Sequence, residues 1–235
     1  MKKELLYEGK AKKVYLTDKP DEVIVDYKDD ATAFNGEKKG TITGKGVVNN
    51  RMSNYFFKKL EANGVPTHYL QELSDRETLV KKVQIVPLEV IVRNITAGSF
   101  STRYGVEEGI ILASPVLEFS YKNDELGDPL INNSHIEALG LATKSEVKQI
   151  EDMALKINEV LKAEFLANGL KLVDFKIEFG KTSDGEIVLA DEISPDTCRL
   201  WDIETNEKLD KDRFRRDLGG VVEAYEEVYR RIFKA

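Results

Sequence analysis

A predicted β-hairpin is the feature that most constrains the fold of this chain. Residues 170–180 end in four apolar side chains at every second position, which is the pattern of a strand with one buried face. The dipeptide Asp184-Gly185 follows, and it is the strongest short-range signal for a hairpin turn. The return segment, residues 186–193, is mostly apolar on both faces, as in a covered strand. The sequence therefore predicts an antiparallel pair within a covered sheet.

Charged side chains occupy the other face of the first strand. Asp174, Lys176 and Glu178 alternate there, and equal offsets from an Asp-Gly turn place Glu178 opposite Asp191. Like charges opposed across a sheet are destabilising, whereas two carboxylates with phosphate oxygens commonly hold Mg²⁺. We therefore expect a magnesium site in a nucleotide-using enzyme. The alternatives are a solvated edge on which both acids are idle, and a longer turn that brings Glu192 opposite instead.

Composition limits the class of protein. The chain has 235 residues, 41% hydrophobic and 33% charged, which describes a folded globular protein with one large domain or two modest ones. The net charge of -7 argues against general binding of nucleic acid. Cys198 is the single cysteine. The charged N-terminal residues predict no signal peptide, and no apolar run approaches the length of a membrane span. We expect a cytoplasmic protein without nucleic-acid or membrane partners.

Apolar periodicity predicts the elements in chain order. Short strands are expected at 5–7, 12–16 and 23–27, a helix at 46–63, and strands around 67–73, 79–86 and 88–94. A capping box at Thr143 and Glu146 predicts a helix that ends near Gly169, and 212–234 is expected to be one further helix. Because the pattern changes from β-rich to mixed, we expect a small N-terminal lobe, 1–85, and a larger lobe, 86–235.

Two N-terminal segments offer cations to an anionic ligand. Lys10 and Lys12 would point the same way if they alternate along one strand after Gly9, and could then contact phosphates. A solvated lysine-rich strand fits these residues equally well. Residues 40–46 are rich in glycine and lysine but lack the spacing and the hydroxyl of a Walker A motif. They predict either a mobile cover over a nucleotide or a plain flexible loop.

Two arginines follow strongly patterned segments. An apolar strand delivers Arg93, and Gly98-Ser99 then opens a short predicted helix that could bind an anion beside the arginine. Arg199 follows the hairpin on a proline-fixed turn, so we expect it within reach of the two hairpin acids. The alternatives are a surface arginine with a serine N-cap, and a salt-bridged loop.

Five motifs in this chain resemble those of the SAICAR synthetase family. The two most specific are 87–99 and 172–180, and the others are 7–12, 191–196 and 210–215. Together they span the chain almost end to end, in the order found in the family. Asn35 stands where some members carry aspartate, so it is left out of the predicted site.

The resemblance implies a fold and an activity. The fold would be α+β with two lobes, a small antiparallel β lobe packed on a larger α+β lobe, and the nucleotide in the cleft between them. The activity would be a ligase of de novo purine biosynthesis that uses ATP and Mg²⁺. It would join L-aspartate to the carboxylate of carboxyaminoimidazole ribonucleotide (CAIR) through an acyl phosphate, giving SAICAR, ADP and phosphate. The family also suggests a homodimer.

The resemblance assigns roles to individual residues. The residues expected to hold Mg²⁺ are Glu178 and Asp191. Those expected at the reacting centre are Asp174 and Lys176. Those expected to bind ATP are Lys10, Lys12, Lys81, Lys82 and Val83. Those expected to bind the substrate are Arg93, Ser99, Asp196, Arg199 and Arg215.

Other functions remain open from the sequence. A small-molecule kinase or another ATP-dependent carboxylate-amine ligase would share the arrangement of lobes. A nucleotide-sensing module would bind ATP without turning it over. The paired acids and the several anion-binding positions favour an enzyme over a sensor.

Overall fold

The computed structural model describes residues 1–33 and 36–234, so Asn35 lies outside the described residues. The described strands are β1 (Leu5–Glu8), β2 (Lys12–Leu16), β3 (Glu22–Tyr27), β4 (Asp30–Ala33), β5 (Lys38–Thr41), β6 (Tyr69–Glu72), β7 (Glu77–Lys81), β8 (Gln84–Ile85), β9 (Leu88–Ile95), β10 (Ile111–Tyr121), β11 (Leu130–Ile131), β12 (Leu170–Lys181), β13 (Ile187–Ala190) and β14 (Cys198–Asp202). The described helices are α1 (Lys45–Ala62), α2 (Gly98–Tyr104), α3 (Asn133–Ala138), α4 (Lys144–Ala167), α5 (Asp212–Arg215) and α6 (Val221–Phe233).

The strands form two main antiparallel sheets. The first has the order β1-β2-β3-β7-β6. The second has the order β11-β10-β9-β12-β13, and β12 also pairs with β8 and β14. Strands β4 and β5 pair only with each other. The α+β class predicted from the sequence is confirmed, and β12 is the strand on which the second sheet is organised.

The main hydrophobic core lies between the second sheet and the long helices. Helices α1, α4 and α6 contribute buried apolar side chains to one cluster with β9, β12 and β13. The first sheet has a separate small cluster on β3 and β7. Strand β7 belongs to the first sheet, and β8, the next strand along the chain, pairs with β12 of the second sheet. The chain therefore passes from one sheet to the other between β7 and β8. Helix α1 lies within residues 1–85 but packs into the main core with the second sheet. The division into lobes 1–85 and 86–235 therefore stays a prediction.

Helix α4 begins where the capping box predicts. The Thr143 side chain accepts the Glu146 N–H, and the Glu146 carboxylate accepts the Thr143 N–H. The predicted single helix 212–234 is wrong, since α5 and α6 are separate helices. Between them Gly219 and Gly220 have φ values of 71° and 58°. This left-handed backbone interrupts the helical hydrogen bonds, so the chain turns before α6 begins.

The hairpin β12–β13 has a different register from the predicted one. Glu178 pairs with Ala190, because the turn is longer than the Asp-Gly dipeptide alone. Thr182 N–H donates to the carbonyl of Glu186 at 2.9 Å and closes the hairpin, so three residues lie in the turn and not two. Neither Asp191 nor Glu192 is therefore the cross-strand partner of Glu178.

Within residues 1–33 and 36–234, no helix combines the length and the apolar character needed to cross a bilayer.

We predict that Leu161→Ala lowers the free energy of unfolding by about 2–5 kcal/mol, since Leu161 is fully buried in the main core and truncation leaves a cavity. The matched control is Leu166→Ala on the same helix, where the side chain is 57% exposed and the expected loss is below about 0.5 kcal/mol. Urea unfolding of both variants measures the difference. Equal midpoints would show that this face of α4 is not packed as described.

Candidate functional site

A cavity of about 520 Å³ opens over β9, β12 and β14. It collects every residue that the sequence predicted for catalysis and for substrate binding. These residues are Arg93, Ser99, Asp174, Lys176, Asp196, Arg199 and Arg215. They come from separate parts of the chain, so the fold gathers them at one place.

The register of β12 explains why charged side chains meet in this cavity. Asp174 pairs with Arg93 of β9 on one side and with Arg199 of β14 on the other. Cross-strand partners lie on the same face of a sheet within about 5 Å of each other. One carboxylate is thereby placed between two guanidinium groups.

Asp174 holds both arginines through direct hydrogen bonds. Arg93 Nη1 donates to Asp174 Oδ2 at 2.9 Å, and Arg199 Nη1 donates to the same carboxylate at 2.9 and 3.1 Å. Arg93 also donates from Nε to Glu118 at 2.7 Å and from Nη2 to Ser99 Oγ at 3.0 Å. Its donors are therefore fixed in direction before any ligand arrives.

A second buried acid orients the other side of the arginine group. Asp212 accepts Arg199 Nε at 2.9 Å and Arg215 Nη1 at 2.7 Å. Burial by itself would raise the pKa of Asp212, but the charges of Arg199 and Arg215 outweigh it and hold that pKa at about 2. Asp210 accepts the backbone N–H groups of Leu200 and Asp212, which fixes the segment that carries these side chains.

Asp196 forms part of the cavity wall. Lys45 Nζ donates to its Oδ2 at 2.8 Å, the Tyr225 hydroxyl donates to Oδ1, and Lys211 Nζ lies 3.7 Å from Oδ2. Burial opposes ionisation of Asp196, yet Lys211 and Lys45 lower its pKa overall. Both carboxylate oxygens are already bonded, so Asp196 ties α1 and α6 to the cavity.

The predicted metal ligands lie at the other end of β12. Glu178 accepts a hydrogen bond from Lys122 Nζ at 2.7 Å, and Asp191 accepts one from Lys12. Burial, followed by the negative charge of Asp191, raises the pKa of Glu178. Asp191 has a φ of 66°, so β13 ends before it and its side chain does not follow the strand alternation.

This pair of acids is suited to a hard cation that brings further oxygen ligands. Carboxylate oxygens are the usual protein ligands of Mg²⁺, which is held by one or two of them with phosphate oxygens and water. Within the described parts of the chain, no group of three or more His, Cys, Asp or Glu side chains could hold a metal ion by itself. The chemistry of the donors therefore fits Mg²⁺ together with a phosphate-bearing ligand.

Two expectations about neighbouring residues need correction. Lys10 does not alternate with Lys12 on a strand, because β2 begins at Lys12 and Lys10 lies in the preceding turn, where its Nζ is 2.8 Å from Asp124. Arg199 is not beside the hairpin acids. It pairs with Asp174, and Glu178 lies four positions further along β12, or about 13 Å away.

The predicted nucleotide segment lies where the chain passes from β7 to β8. Lys81 ends β7, and its N–H donates to the carbonyl of His68 at 2.7 Å. Lys82 N–H donates to Asp21. Val83 packs so closely on Gly180 that a Cβ on the glycine would lie 2.4 Å from Val83 Cγ2. The segment is thereby held against the end of β12, close to the hairpin acids.

The sequence analysis missed several acids and one lysine that complete this arrangement. Glu89 pairs with Lys176, Lys122 pairs with Glu178, and Glu118 and Asp212 orient the arginines. Strand alternation alone could have found Glu89, since it lies two and four positions before Ile91 and Arg93 on the same face of β9. Asp212 lies three positions before Arg215, a spacing that brings two helical side chains together. Glu118 and Lys122 are distant in sequence from their partners and carry no local signal.

Known proteins are similar to this chain over nearly its whole length. The family model described as SAICAR synthetase matches residues 5–232. Phosphoribosylaminoimidazole-succinocarboxamide synthase of Lachnoclostridium phytofermentans is 69% identical over 233 residues, which are 99% of each chain. The crystal structure of the synthase of that name from Ehrlichia chaffeensis superposes with a TM-score of 0.96 at 48% identity and covers 99% of each chain. A SAICAR synthetase in complex with ADP gives 0.94 at 51% identity and covers 97% of each chain. The fold type expected from the resemblance is thus confirmed.

Residue His68, in the same region, makes the stability of the fold depend on pH. Burial, followed by the charge of Lys12, lowers the pKa of His68 to about 3, whereas the unfolded value is near 6.5. The unfolded chain therefore binds a proton below about pH 6.5 that the folded chain does not. The stability contributed by His68 is complete above that pH and is lost as the pH falls towards 3, with a slope of at most about 1.4 kcal/mol per pH unit.

We predict that His68→Gln loses less stability than the unchanged protein between pH 6.5 and pH 5. Urea unfolding at a series of pH values measures this slope. His135→Gln is the control, because His135 is exposed and a glutamine can keep its place in the capping box of α3. Parallel pH curves for the unchanged protein and the His68 variant would contradict the buried neutral state of His68.

Proposed function

Because this chain belongs to the SAICAR synthetase family, we propose that its cavity binds CAIR and that the acids at the end of β12 face ATP. The chain is an ATP-dependent ligase of purine biosynthesis that joins L-aspartate to CAIR. The observation that carries the proposal is that one cavity gathers all the predicted catalytic and substrate-binding residues around arginines whose donors are fixed in direction. Such a cavity suits a substrate with a phosphate at one end and a carboxylate at the other.

The arginine end of the cavity is assigned to an anionic group of CAIR. Arg93, Arg199 and Arg215 are each held by an acid, so they are oriented before the substrate binds. Preorganised donors lose little conformational entropy when they bind a ligand. Ser99 Oγ, bonded to Arg93, offers a further polar contact at the same end. Asp174 thus acts by holding the two arginines rather than by exchanging protons.

The lysine end is assigned to the phosphates of ATP. Lys12 lies between Asp191 and Glu192, and Lys122 and Lys176 lie near Asp191 and Glu178. Lys81, Lys82 and Val83 form the adjoining segment, where we place the adenine. Lys10, in the turn after β1, could reach the phosphates from the first sheet. Mg²⁺ bound by Glu178 and Asp191 would neutralise charge on the phosphate oxygens.

The reaction needs an activated acyl group, since the oxyanion of a carboxylate is a poor leaving group. A CAIR carboxylate oxygen takes the γ-phosphoryl group, and ADP leaves. The aspartate amine then attacks the acyl carbon, the bond to phosphate breaks, and the nitrogen loses a proton. Lys176 lines the cavity beside Glu89 and would stabilise negative charge during both steps. We also propose a homodimer and a cytoplasmic location, as in the sequence analysis.

We predict that Asp191→Asn leaves the fold intact but lowers Mg²⁺-dependent ADP release by about 10²–10³-fold, the usual loss for one electrostatic contact to a transition state. Asp184→Asn is the matched control, because Asp184 lies exposed in the turn of the same hairpin. Circular dichroism and urea unfolding check the fold of both variants. Near-normal ADP release by the Asp191 variant, with CAIR and aspartate present, would remove the metal assignment.

We further predict that ADP release over many turnovers requires CAIR and L-aspartate together. A small-molecule kinase would release ADP without the amine, and a nucleotide sensor would bind ATP and release no phosphate. A coupled assay with each substrate omitted in turn separates the three functions. Full ADP release in the absence of aspartate would contradict the ligase reaction.

A further inference from the structure

The carboxylate of Glu108 bridges two segments that adjoin the cavity and are far apart in sequence. Gly98 N–H, at the start of α2, donates to Glu108 Oε1 at 2.9 Å. Arg216, which follows α5, donates to both carboxylate oxygens, and Lys208 Nζ lies 3.4 Å from Oε2. The hydrogen bonds from Arg216, above all, lower the pKa of Glu108 to about 2, so the carboxylate is ionised at neutral pH.

The loop that carries Glu108 is itself fixed to the sheet. Thr96, at the end of β9, makes backbone hydrogen bonds with Gly109 and Ile110 at 2.8 and 2.9 Å. The Thr96 hydroxyl donates to the carbonyl of Glu107 at 2.7 Å and accepts the N–H of Ile110 at 2.9 Å. Glu108 is therefore presented from a rigid support, and it can restrain the groups that it contacts.

These groups lead directly to the arginines of the cavity. Arg216 lies 3.6 Å from Asp212, which binds Arg199 and Arg215. Gly98 faces Arg199 so closely that a Cβ there would lie 2.4 Å from Arg199 Nη2. A line of alternating charge thus runs from Glu108 through Arg216 and Asp212 to the cavity. Release of one end would loosen both the start of α2 and the segment around α5.

We propose that Glu108 is a positioning residue for the anionic ribonucleotide substrate, because it locks α2 against the α5 segment and so fixes Ser99, Arg199 and Arg215 in their binding positions. This inference rests on the proposed function, since it concerns how the CAIR cavity is held. Glu108 itself does not line the cavity. Its loss should weaken binding of CAIR without changing binding of ATP or the rate of the bound complex.

The test is the kinetics of Glu108→Gln, which keeps the size of the side chain and removes its charge. We expect the KM for CAIR to rise about tenfold, as for the loss of one charge-assisted hydrogen bond. The kcat and the KM for ATP should stay within about twofold. Glu108→Asp keeps the charge but is one methylene shorter, and it should give an intermediate KM. A merely structural role would lower the active fraction and kcat together and leave both KM values unchanged.

Glu107→Gln is the matched control and should behave as the unchanged protein. Within the described residues, no hydrogen bond or ion pair involves its side chain. If Glu108→Gln does not fold, Arg216→Gln removes the other member of the Glu108–Arg216 pair and should also raise the KM for CAIR.

Calorimetric titration with CAIR separates the two proposals. If the unchanged protein binds no CAIR, the proposed function fails. If it binds CAIR and the Glu108 and Arg216 variants bind it equally well, only the role of Glu108 is overturned.

Discussion

The hydrogen bonds of Asp174 to Arg93 and Arg199 are the interaction on which the rest of the site depends. Three neighbouring strands contribute these side chains. Arg93 and Asp174 are buried, and the Arg199 side chain is 18% exposed. A buried charge without a partner is costly, whereas a paired and hydrogen-bonded one is tolerated. The register of β9, β12 and β14 must therefore bring the three groups together. The strand register that packs the second sheet is thus the same register that fixes the direction of its arginines.

The site has two ends with different chemistry because β12 carries two acids, Asp174 and Glu178, at separate positions. Near Asp174 the cations are arginines, whose planar groups bind carboxylate and phosphate in defined directions. Near Glu178 they are lysines, which neutralise charge with less directional demand. Each of these cations is already paired with an acid in the protein. These pairings limit the cost of burying so many charges.

The sequence predicted those features of the site that follow from local periodicity. Alternation along β12 placed Asp174, Lys176 and Glu178 on one face. Patterned segments singled out Arg93 and Arg199, and the resemblance gave both a substrate-binding role. The hairpin register was wrong because one extra turn residue shifts every pair, and the φ of Asp191 then re-directs a side chain that simple alternation would misplace. Partners such as Glu118 and Lys122 could not be predicted, since long-range pairing alone brings them to the site.

The glycine- and lysine-rich segment illustrates how local composition underdetermines a role. Gly40 lies in β5 and Lys45 begins α1, where Lys45 is fully buried against Asp196. Gly40 packs so closely on Phe214 that a Cβ on the glycine would lie 3.0 Å from the ring. Lys38 Nζ lies 5.0 Å from the centre of the same ring. Phe214 belongs to α5 and directly precedes Arg215, which Asp212 holds. This segment therefore supports the arginine end of the cavity through Phe214, and it supports the cavity wall at Asp196 through Lys45. Neither a nucleotide cover nor a free loop would require this structural role.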